Sequence, residues 1–295
     1  MIYHAQKKSK QIMKNNSSIN KSALAKKLDI SRSSLYYKSR TDQKDEILKE
    51  QIIYVMSLHP AYGHRRVAIE LRVNKKRALR VMKKFNLEPE KQRSKKPKKK
   101  KDIGNKPVEY ENWLDKICPI KPNVFWASDF TYIKFKNSFL YLATIIDVFT
   151  REIVGFAFSV YHNADLVKEA FEDAVSKRPY PYFSHSDQGS EYMSDGYINL
   201  LKSFGIEISV SPKGSPWKNA CQESFYSQFK LELGPTKEFG DIGELVEAIC
   251  LQIHYYNYRR IHTALRMPPA IYARQHLGND ALCIKNGVLA SFLLL

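Results

Sequence analysis

The sequence contains few cysteines, and their spacing fits neither a zinc module nor a set of disulfides. The four are Cys118, Cys221, Cys250 and Cys283, and no two of them form a Cys-x-x-Cys pair. A disulfide-rich secreted scaffold and a zinc module built on paired cysteines are therefore excluded. We expect a reduced chain in the cytoplasm.

The chain also lacks a long apolar run. Its start, MIYHAQKKSK, has no apolar core of the kind that a signal peptide requires. The most apolar stretch, residues 139 to 149, is too short to span a bilayer and contains Asp147. We therefore expect no membrane partner.

Acidic residues are scarce in the first third of the chain. Residues 1 to 101 carry 29 Lys/Arg against 8 Asp/Glu, whereas residues 102 to 295 carry 19 against 22, and the net charge is +18. A length of 295 residues suits about two domains. The charge asymmetry favours a polyanion-binding arm on a nearly neutral body, although a basic face can also serve solubility alone.

Residues 17 to 38, SSINKSALAKKLDISRSSLYYK, have the pattern of a helix-turn-helix. Apolar residues recur at helical spacing, residues 29 to 31 break the pattern, and a second short helix follows. Arg32 and Ser33 lie at the start of that second helix, the part that meets base edges in helix-turn-helix proteins. The alternative is a plain helical hairpin.

A second helical pair is predicted at residues 44 to 58 and 64 to 85, with a break at HPAYGHRR between them. Arg65 and Arg66 in this break are candidate DNA contacts. The pair is followed by KQRSKKPKKKK, residues 91 to 101, in which eight of eleven residues are basic.

This basic run cannot pack a core and is predicted to be a linker. Its lysines would release counterions from duplex DNA without reading its sequence. A nuclear-localisation signal has similar composition but needs a nucleus that nothing in the sequence requires. The candidate phosphate contacts are Lys95, Lys96, Lys98 and Lys99.

Beyond residue 122 the apolar period changes from helical to strand-like. The order of elements is three strands, helix, strand, helix, strand and then helices, which predicts an α/β fold with one mixed sheet flanked by helices. The predicted strands lie at 124–133, 139–149, 151–160, 181–189 and 206–211, and the first helices between them at 163–178 and 195–204.

Three acidic residues occupy positions that secondary structure alone does not explain. Asp129 lies inside the first predicted strand, where aspartate is disfavoured unless it is paired or binds a cation. Asp187 ends the fourth strand, and Glu223 lies in the first turn of the following long helix. Strand ends and helix starts meet at one edge of such a sheet. Taken singly, Asp187 also suits a turn and Glu223 suits a helix dipole.

Together the three acids resemble the Asp-Asp-Glu triad of DDE transposases and retroviral-type integrases, with thirty-five residues between Asp187 and Glu223. The flanking blocks resemble the orfB-type transposases of the insertion sequence three family, and the likeness extends over residues 20 to 275. These blocks are LDISRSSLYY (28–37), YGHRRV (62–67), WASDFTY (126–132), HSDQGSEY (185–192), SPKGSPWKNACQESFYSQFK (211–230) and YNYRRIHTALRMPP (256–269).

The resemblance implies a ribonuclease H-like five-stranded sheet preceded by all-α helix-turn-helix modules. Trp217 and Lys218 depart from the family pattern, in which a smaller aromatic and often an aspartate occupy these positions. The expected divisions are a helix-turn-helix-like segment 1–43, a second module 44–90, a basic linker 91–121, an integrase-like core 122–275 and an atypical tail 276–295.

The resemblance also implies a reaction. Two Mg²⁺ ions, with Mn²⁺ able to substitute, would lie about 3.5–4 Å apart and neutralise the attacking and leaving oxygens. Asp129 would bridge them, with Asp187 on one ion and Glu223 on the other. Water would first expose a 3′-OH at the element end, and this hydroxyl would then attack a second phosphodiester.

Further DNA contacts follow from the same resemblance. Asn219 and Lys230 flank Glu223 at helical spacing, on a face that lies along terminal DNA in related integrases. Surface solvation is the alternative for these two. His262 is a candidate phosphate contact, and internal packing is the alternative for it. The remaining candidates, in the closing block, are Arg259 and Arg260.

The expected partners are double-stranded DNA at element ends and targets, further copies of the same chain, and an upstream helix-turn-helix protein. The expected location is the bacterial cytoplasm, in association with the nucleoid. One alternative is a catalytically decayed transposase that acts as a DNA-binding repressor, and another is a ribonuclease with a similar sheet. A retroviral integrase is disfavoured because no His-His-Cys-Cys module precedes the core.

Overall fold

The computed structural model describes residues 20–36, 40–90, 110–212, 219–276 and 283–284. The basic run with Lys95, Lys96, Lys98 and Lys99, and the loop with Trp217 and Lys218, lie outside these ranges. Within them, helices come first, and they are α1 Lys21–Lys27, α2 Arg32–Tyr36, α3 Arg40–Leu58, α4 His64–Glu70 and α5 Lys75–Lys84.

The second part alternates strands and helices. It begins with α6 Trp113–Lys116, β1 Ile117–Cys118, β2 Phe125–Phe135, β3 Ser138–Asp147, β4 Ile153–Ser159 and α7 Ala164–Lys177. It continues with β5 Phe183–Ser186, α8 Asp195–Ser203, β6 Glu207–Val210, α9 Ala220–Leu233, α10 Ile242–Tyr258, α11 Pro269–His276 and β7 Cys283–Ile284.

The main sheet has five strands in the order β4-β3-β2-β5-β6. Strands β2 to β4 pair antiparallel, whereas β5 pairs parallel with β2, and β6 pairs parallel with β5. Short turns connect the antiparallel strands, and helical crossovers precede the parallel ones. This is the mixed five-stranded sheet that the sequence predicts.

Alternation along β3 distributes the core to both faces of the sheet. Ala143 and Ile145 join an apolar cluster beneath α7 and α8, while Leu142 and Ile146 join a second cluster beneath α9 and α10. Each fully buried aliphatic side chain stabilises the fold by about 1.5–3 kcal/mol. The sheet is therefore covered by helices on both faces, and its strand ends remain available for a site.

The approach of α7 to the sheet depends on one glycine. A Cβ atom on Gly155 in β4 would lie 2.5 Å from the Ala170 carbonyl oxygen and 2.6 Å from Ala174 Cβ. The absence of a side chain at Gly155 thus fixes how closely helix and strand can pack.

The first helical pair closes on a small apolar cluster of Leu24, Ala25 and Leu35. The Asn20 side chain accepts a hydrogen bond from Ser22 N and caps α1. The predicted stretch 64–85 consists of two helices, α4 and α5, and the second is capped by Asn74, whose side chain accepts from Lys76 N at 2.8 Å. Helices are therefore present in both predicted helical segments.

The second helical pair packs directly on the α/β part. Its cluster includes Ile52, Tyr62 and Val81 together with Ile261, which follows α10. The Ile261 N–H donates to the Tyr62 hydroxyl at 2.7 Å, and Arg66 Nε donates to the Ile261 carbonyl at 3.0 Å. This module is therefore docked on the body of the protein.

Sequence patterns missed three small elements. The helices α6 and α11 were not predicted, and neither was the antiparallel pairing of β1 with β7. The pairing places Cys283 and Ile284 of the atypical tail beside Cys118 and Ile117. Among the described helices, none combines the length and apolarity that crossing a bilayer requires.

Candidate active site

Asp129 and Asp187 come from neighbouring parallel strands at one edge of the sheet. The last paired residues of β2 and β5 are Ala127 and His185, and each aspartate lies two residues beyond its paired residue. Side chains two apart point to the same face of a strand, and adjacent strands are about 4.8 Å apart. The register thus brings the two carboxylates onto the same side.

The negative charge at this edge is poorly compensated. The pKa of Asp129 is raised to about 7, chiefly because the protein displaces water from the carboxylate. The charges of Asp187 and Glu223 contribute to this rise, and the Phe130 N–H and Lys230 oppose it. The pKa of Asp187 is raised chiefly because the surrounding protein displaces water; the Gly189 N–H, 2.9 Å from its Oδ1, lowers it. Carboxylates that repel one another in this way favour a bound cation.

Glu223 lies in the first turn of α9 and is exposed. Its helix is tied to the strands by two residues that sequence reasoning missed. The buried Gln222 donates from Nε2 to Ala127 O at 2.6 Å and to Thr144 O at 2.9 Å. The second is Tyr226, whose hydroxyl donates to Asp129 O at 2.7 Å. The only sequence signal was the four-residue spacing that places Gln222 and Tyr226 on one face of the helix.

A fourth carboxylate, also missed, stands beside Asp187. Glu191 is buried, and its Oε1 lies 3.0 Å from His162 Nε2. A Cβ atom on Gly189 would lie 3.0 Å from Asp187 Oδ1 and 3.2 Å from Glu191 Oε2, so glycine lets both acids share this loop. The charge of Glu191 raises the pKa of Asp187.

The acids fit a hard divalent cation by chemistry, but their side chains are not gathered around one point. Within the described ranges, no three His, Cys, Asp or Glu side chains are close enough together to hold an ion. The charge of Asp187 raises the pKa of Asp129 more than the charge of Glu223 does. Carboxylate oxygens with uncompensated charge are ligands that Mg²⁺ prefers.

Several predicted DNA contacts are exposed, including Arg32, Ser33, Arg65 and Arg259. Lys230 lies two helical turns beyond Glu223, and its Nζ stands 4.8 Å from the centroid of the Tyr132 ring. Partial loss of water lowers the pKa of Lys230, while the charge of Asp129 opposes that change. Lys230 therefore lies on the carboxylate side of α9.

Asn219 and Arg260 are buried, contrary to the surface positions expected of them. Asn219 Nδ2 donates to Ser128 O at 3.2 Å, which attaches the start of α9 to β2. Arg260 Nε donates to Glu232 at 2.7 Å, and only 2% of the residue is exposed. A buried arginine is retained where a carboxylate pairs with it, so Arg260 already has an internal partner.

His262 is half-buried, and its Nδ1 has no hydrogen-bond partner among the described residues. The pKa of His262 is lowered to about 4, chiefly by burial, and the nearby guanidinium groups of Arg151, Arg260 and Arg66 contribute to this decrease. The imidazole is therefore neutral, and its unpartnered nitrogen lies in a strongly cationic neighbourhood.

The sheet and its acidic edge define an integrase core. The family model described as the integrase core domain matches residues 119–216, and a second model with the same description matches residues 204–269. Both matched stretches together contain Asp129, Asp187 and Glu223.

Named relatives extend the match beyond the core. The transposase for insertion sequence element IS904 of Lactococcus lactis is 42% identical over 147 residues, which is 49% of this chain and 58% of that protein. InsK of insertion sequence element IS150 from Escherichia coli K12 is 30% identical over 265 residues, covering 85% and 93%. A solved HTLV-2 integrase catalytic core domain in complex with magnesium has a TM-score of 0.41 and 18% identity, covering 52% and 98%.

The chain belongs to the insertion-sequence transposases with an integrase core domain, which are polynucleotidyl transferases of DNA transposition. The chain spans somewhat more than half of the IS904 transposase and nearly all of InsK. The family predicted from the spaced sequence blocks is thereby confirmed.

Proposed function

We propose that Asp129, Asp187 and Glu223 are the catalytic carboxylates of a DDE transposase, which cleaves DNA at insertion-sequence ends and joins the 3′-OH to a new phosphodiester. One observation carries the proposal. Two aspartates from adjoining parallel strands lie on the same side, and the helix of Glu223 is attached to the strand of Asp129. Raised pKa values at both aspartates support a site that takes up cations.

The three carboxylates would hold two Mg²⁺ ions, or Mn²⁺ in their place, and bound ions would neutralise charge on the reacting phosphodiester. The protein's own residues fix the geometry. Gln222 and Tyr226 hold α9 against the sheet, so the backbone of Glu223 has a fixed position. Lys230 extends the same face of α9 and would bind the phosphate backbone beside the reacting group.

DNA would be held by surfaces on both parts of the chain. Arg32 and Ser33 at the start of α2 would read base edges, and Arg65 and Arg259 would contact phosphates. Since transposition joins two element ends, the functional unit would contain at least two copies of the chain. An upstream helix-turn-helix protein remains a proposed partner.

The test uses the full chain and a duplex that carries the element end. Asp129→Asn, Asp187→Asn and Glu223→Gln are compared with wild type for Mg²⁺-dependent cleavage and joining, with Glu247→Gln, an exposed glutamate on α10, as the matched control. Each triad variant should cleave at less than about one hundredth of the wild-type rate, because several kcal/mol of charge stabilisation is lost. DNA binding should be retained.

A triad variant that cleaves like wild type would refute the assignment. A wild-type chain that binds the end duplex but cleaves it with neither Mg²⁺ nor Mn²⁺ would instead support the DNA-binding repressor. Preference for an RNA–DNA hybrid over duplex DNA would indicate a ribonuclease.

A further inference from the structure

A cavity of about 530 Å³ lies between the second helical module and the α/β part. Arg66 reaches it from α4, Arg151 from the turn before β4, and Arg260 and His262 from the segment after α10. Water occupies about 30 Å³ per molecule, so the cavity has room for a small anion with its hydration. Nothing in the proposed reaction uses this space.

Positive charge in the cavity exceeds negative charge. Arg260 is paired with Glu232. Across the described part of the chain, no carboxylate lies within ion-pair distance of Arg66 or Arg151. Arg66 donates to a backbone carbonyl, and Arg151 donates to the sulfur of Cys221.

His262 adds an unused polar group to this space. Its backbone is fixed, since its N–H donates to Met267 O at 3.1 Å and its carbonyl accepts from Arg266 N at 2.8 Å. Its Nδ1 is buried without a partner among the described residues. A buried polar atom left without a hydrogen bond costs about 1–3 kcal/mol.

We propose that this cavity binds a phosphate group of the DNA backbone, held by Arg66 and Arg151 beside the imidazole of His262. This inference rests on the proposed function and assigns a DNA contact outside the carboxylate site. Guanidinium groups match phosphate oxygens in a bidentate geometry. The exposed Ser224, Thr263 and Ala264 line the solvent side, so a backbone phosphate can reach the cavity from a bound duplex.

The cavity and the carboxylates share one helix. Cys221, Ser224 and Gln228 face the cavity, whereas Glu223 and Lys230 lie on the opposite face of α9. The two sites are therefore separated by roughly the 10 Å diameter of a helix. A phosphate held in the cavity would brace α9, the helical module and the closing segment against one another.

The first arm of the test asks whether the cavity binds phosphate at all. Inorganic phosphate is titrated into the full chain, and thermal unfolding is followed. The sodium chloride concentration is lowered as phosphate is added, so that the ionic strength stays constant. Wild type should be stabilised by phosphate, and Arg151→Gln should lose that stabilisation. Arg72→Gln, which changes an exposed arginine outside the cavity, should respond like wild type.

The second arm asks whether the phosphate belongs to DNA. Single uncharged methylphosphonate linkages are moved along an end duplex, and the dissociation constant is measured for each position. At one position, the uncharged linkage should weaken DNA binding by the wild type about five- to tenfold, because the cavity then faces no phosphate charge. Arg151→Gln should lose a similar factor on every duplex but show no further loss at that linkage, and the slope of log K against log salt should fall by about one.

Arg151→Lys keeps the charge and should retain part of both effects, which separates loss of a ligand from loss of folding. If Arg151→Gln keeps the wild-type phosphate response and linkage pattern, the inference is overturned. If phosphate stabilises the protein but no linkage depends on Arg151, the cavity is a free-anion site and the DNA assignment is wrong. If the linkage effect holds in a chain that never cleaves, the proposed catalysis fails while the cavity assignment stands.

Discussion

The hydroxyl of Tyr226 donates a 2.7 Å hydrogen bond to the backbone carbonyl oxygen of Asp129. These residues are 97 positions apart, yet the bond joins the helix of Glu223 to the strand of the first aspartate. The same hydroxyl lies 2.8 Å from Thr144 Oγ1, which also contacts Gln222. A buried polar network thus holds the two halves of the candidate site together.

Tyr226→Phe removes this hydroxyl with little change in shape. We expect the free energy of unfolding to fall by about 1 kcal/mol, because the bond is lost and a buried carbonyl loses a donor. Cleavage should slow severalfold at unchanged DNA affinity, because α9 no longer holds Glu223 in a fixed position relative to Asp129. Urea unfolding and single-turnover cleavage measure the two effects. Tyr161→Phe, at a tyrosine that is 73% exposed, is the control and should change neither.

The pKa of Asp129 predicts a pH-dependent stability. Its folded-state pKa of about 7 lies above the ordinary 3.8, so its contribution to stability is fully present below about pH 4 and is lost as pH rises through 7. Without divalent ions, Asp129→Asn should therefore be more stable than wild type at pH 8, by about 1–3 kcal/mol, and no more stable at pH 4.

Divalent ions should reverse that ranking. Mg²⁺ at pH 8 would stabilise wild type by binding the ionised carboxylates, and it would stabilise Asp129→Asn much less. Thermal unfolding at pH 4 and pH 8, with and without Mg²⁺, measures both effects. Equal stability of the two proteins at pH 8 in the absence of metal would show that folding does not raise the pKa of Asp129.

Docking of the second helical module should depend on Tyr62. Tyr62→Phe leaves the buried N–H of Ile261 without its acceptor, which costs about 1–3 kcal/mol. Hydrogen exchange at the Ile261 amide should become faster, and the free energy of unfolding should fall. Tyr54→Phe, on an exposed tyrosine of the same module, should leave both unchanged. Unaltered exchange at Ile261 in Tyr62→Phe would count against this docking.

Gly155→Ala should destabilise the sheet against α7. The added methyl would overlap the backbone of Ala170, and overpacking of this kind costs about 1–3 kcal/mol. The matched change Gly196→Ala adds a methyl whose nearest contact is the flexible Lys168 side chain at 3.6 Å, so it should be tolerated. Urea unfolding compares the two, and equal midpoints would contradict the packing described here.

The sequence predicted those features that depend on local pattern. Alternating apolar residues marked β2 to β4, and the change of period marked the boundary between the helical and α/β parts. Asp129 was conspicuous because an acid inside an apolar strand needs a partner or a cation. The spaced blocks around Asp187 and Glu223 then gave the family, which the comparisons confirm.

Features that depend on distant contacts could not be predicted in this way. The sequence around Arg260 is basic and predicts an exposed side chain, whereas the fold brings Glu232 beside it. Docking through Tyr62 joins residues 199 positions apart, with no local sequence signal. Asn219 was assigned to DNA from its helical spacing, whereas its side chain binds the strand that it helps to position.

The central claim is that three distant acids form one metal site, and counting bound Mn²⁺ tests it most directly. Electron paramagnetic resonance on the full chain with an end duplex would measure Mn²⁺ bound by wild type, Asp129→Asn, Asp187→Asn and Glu223→Gln. Two ions are predicted in wild type and fewer in every triad variant. Wild-type occupancy in any one of these variants would contradict the shared site.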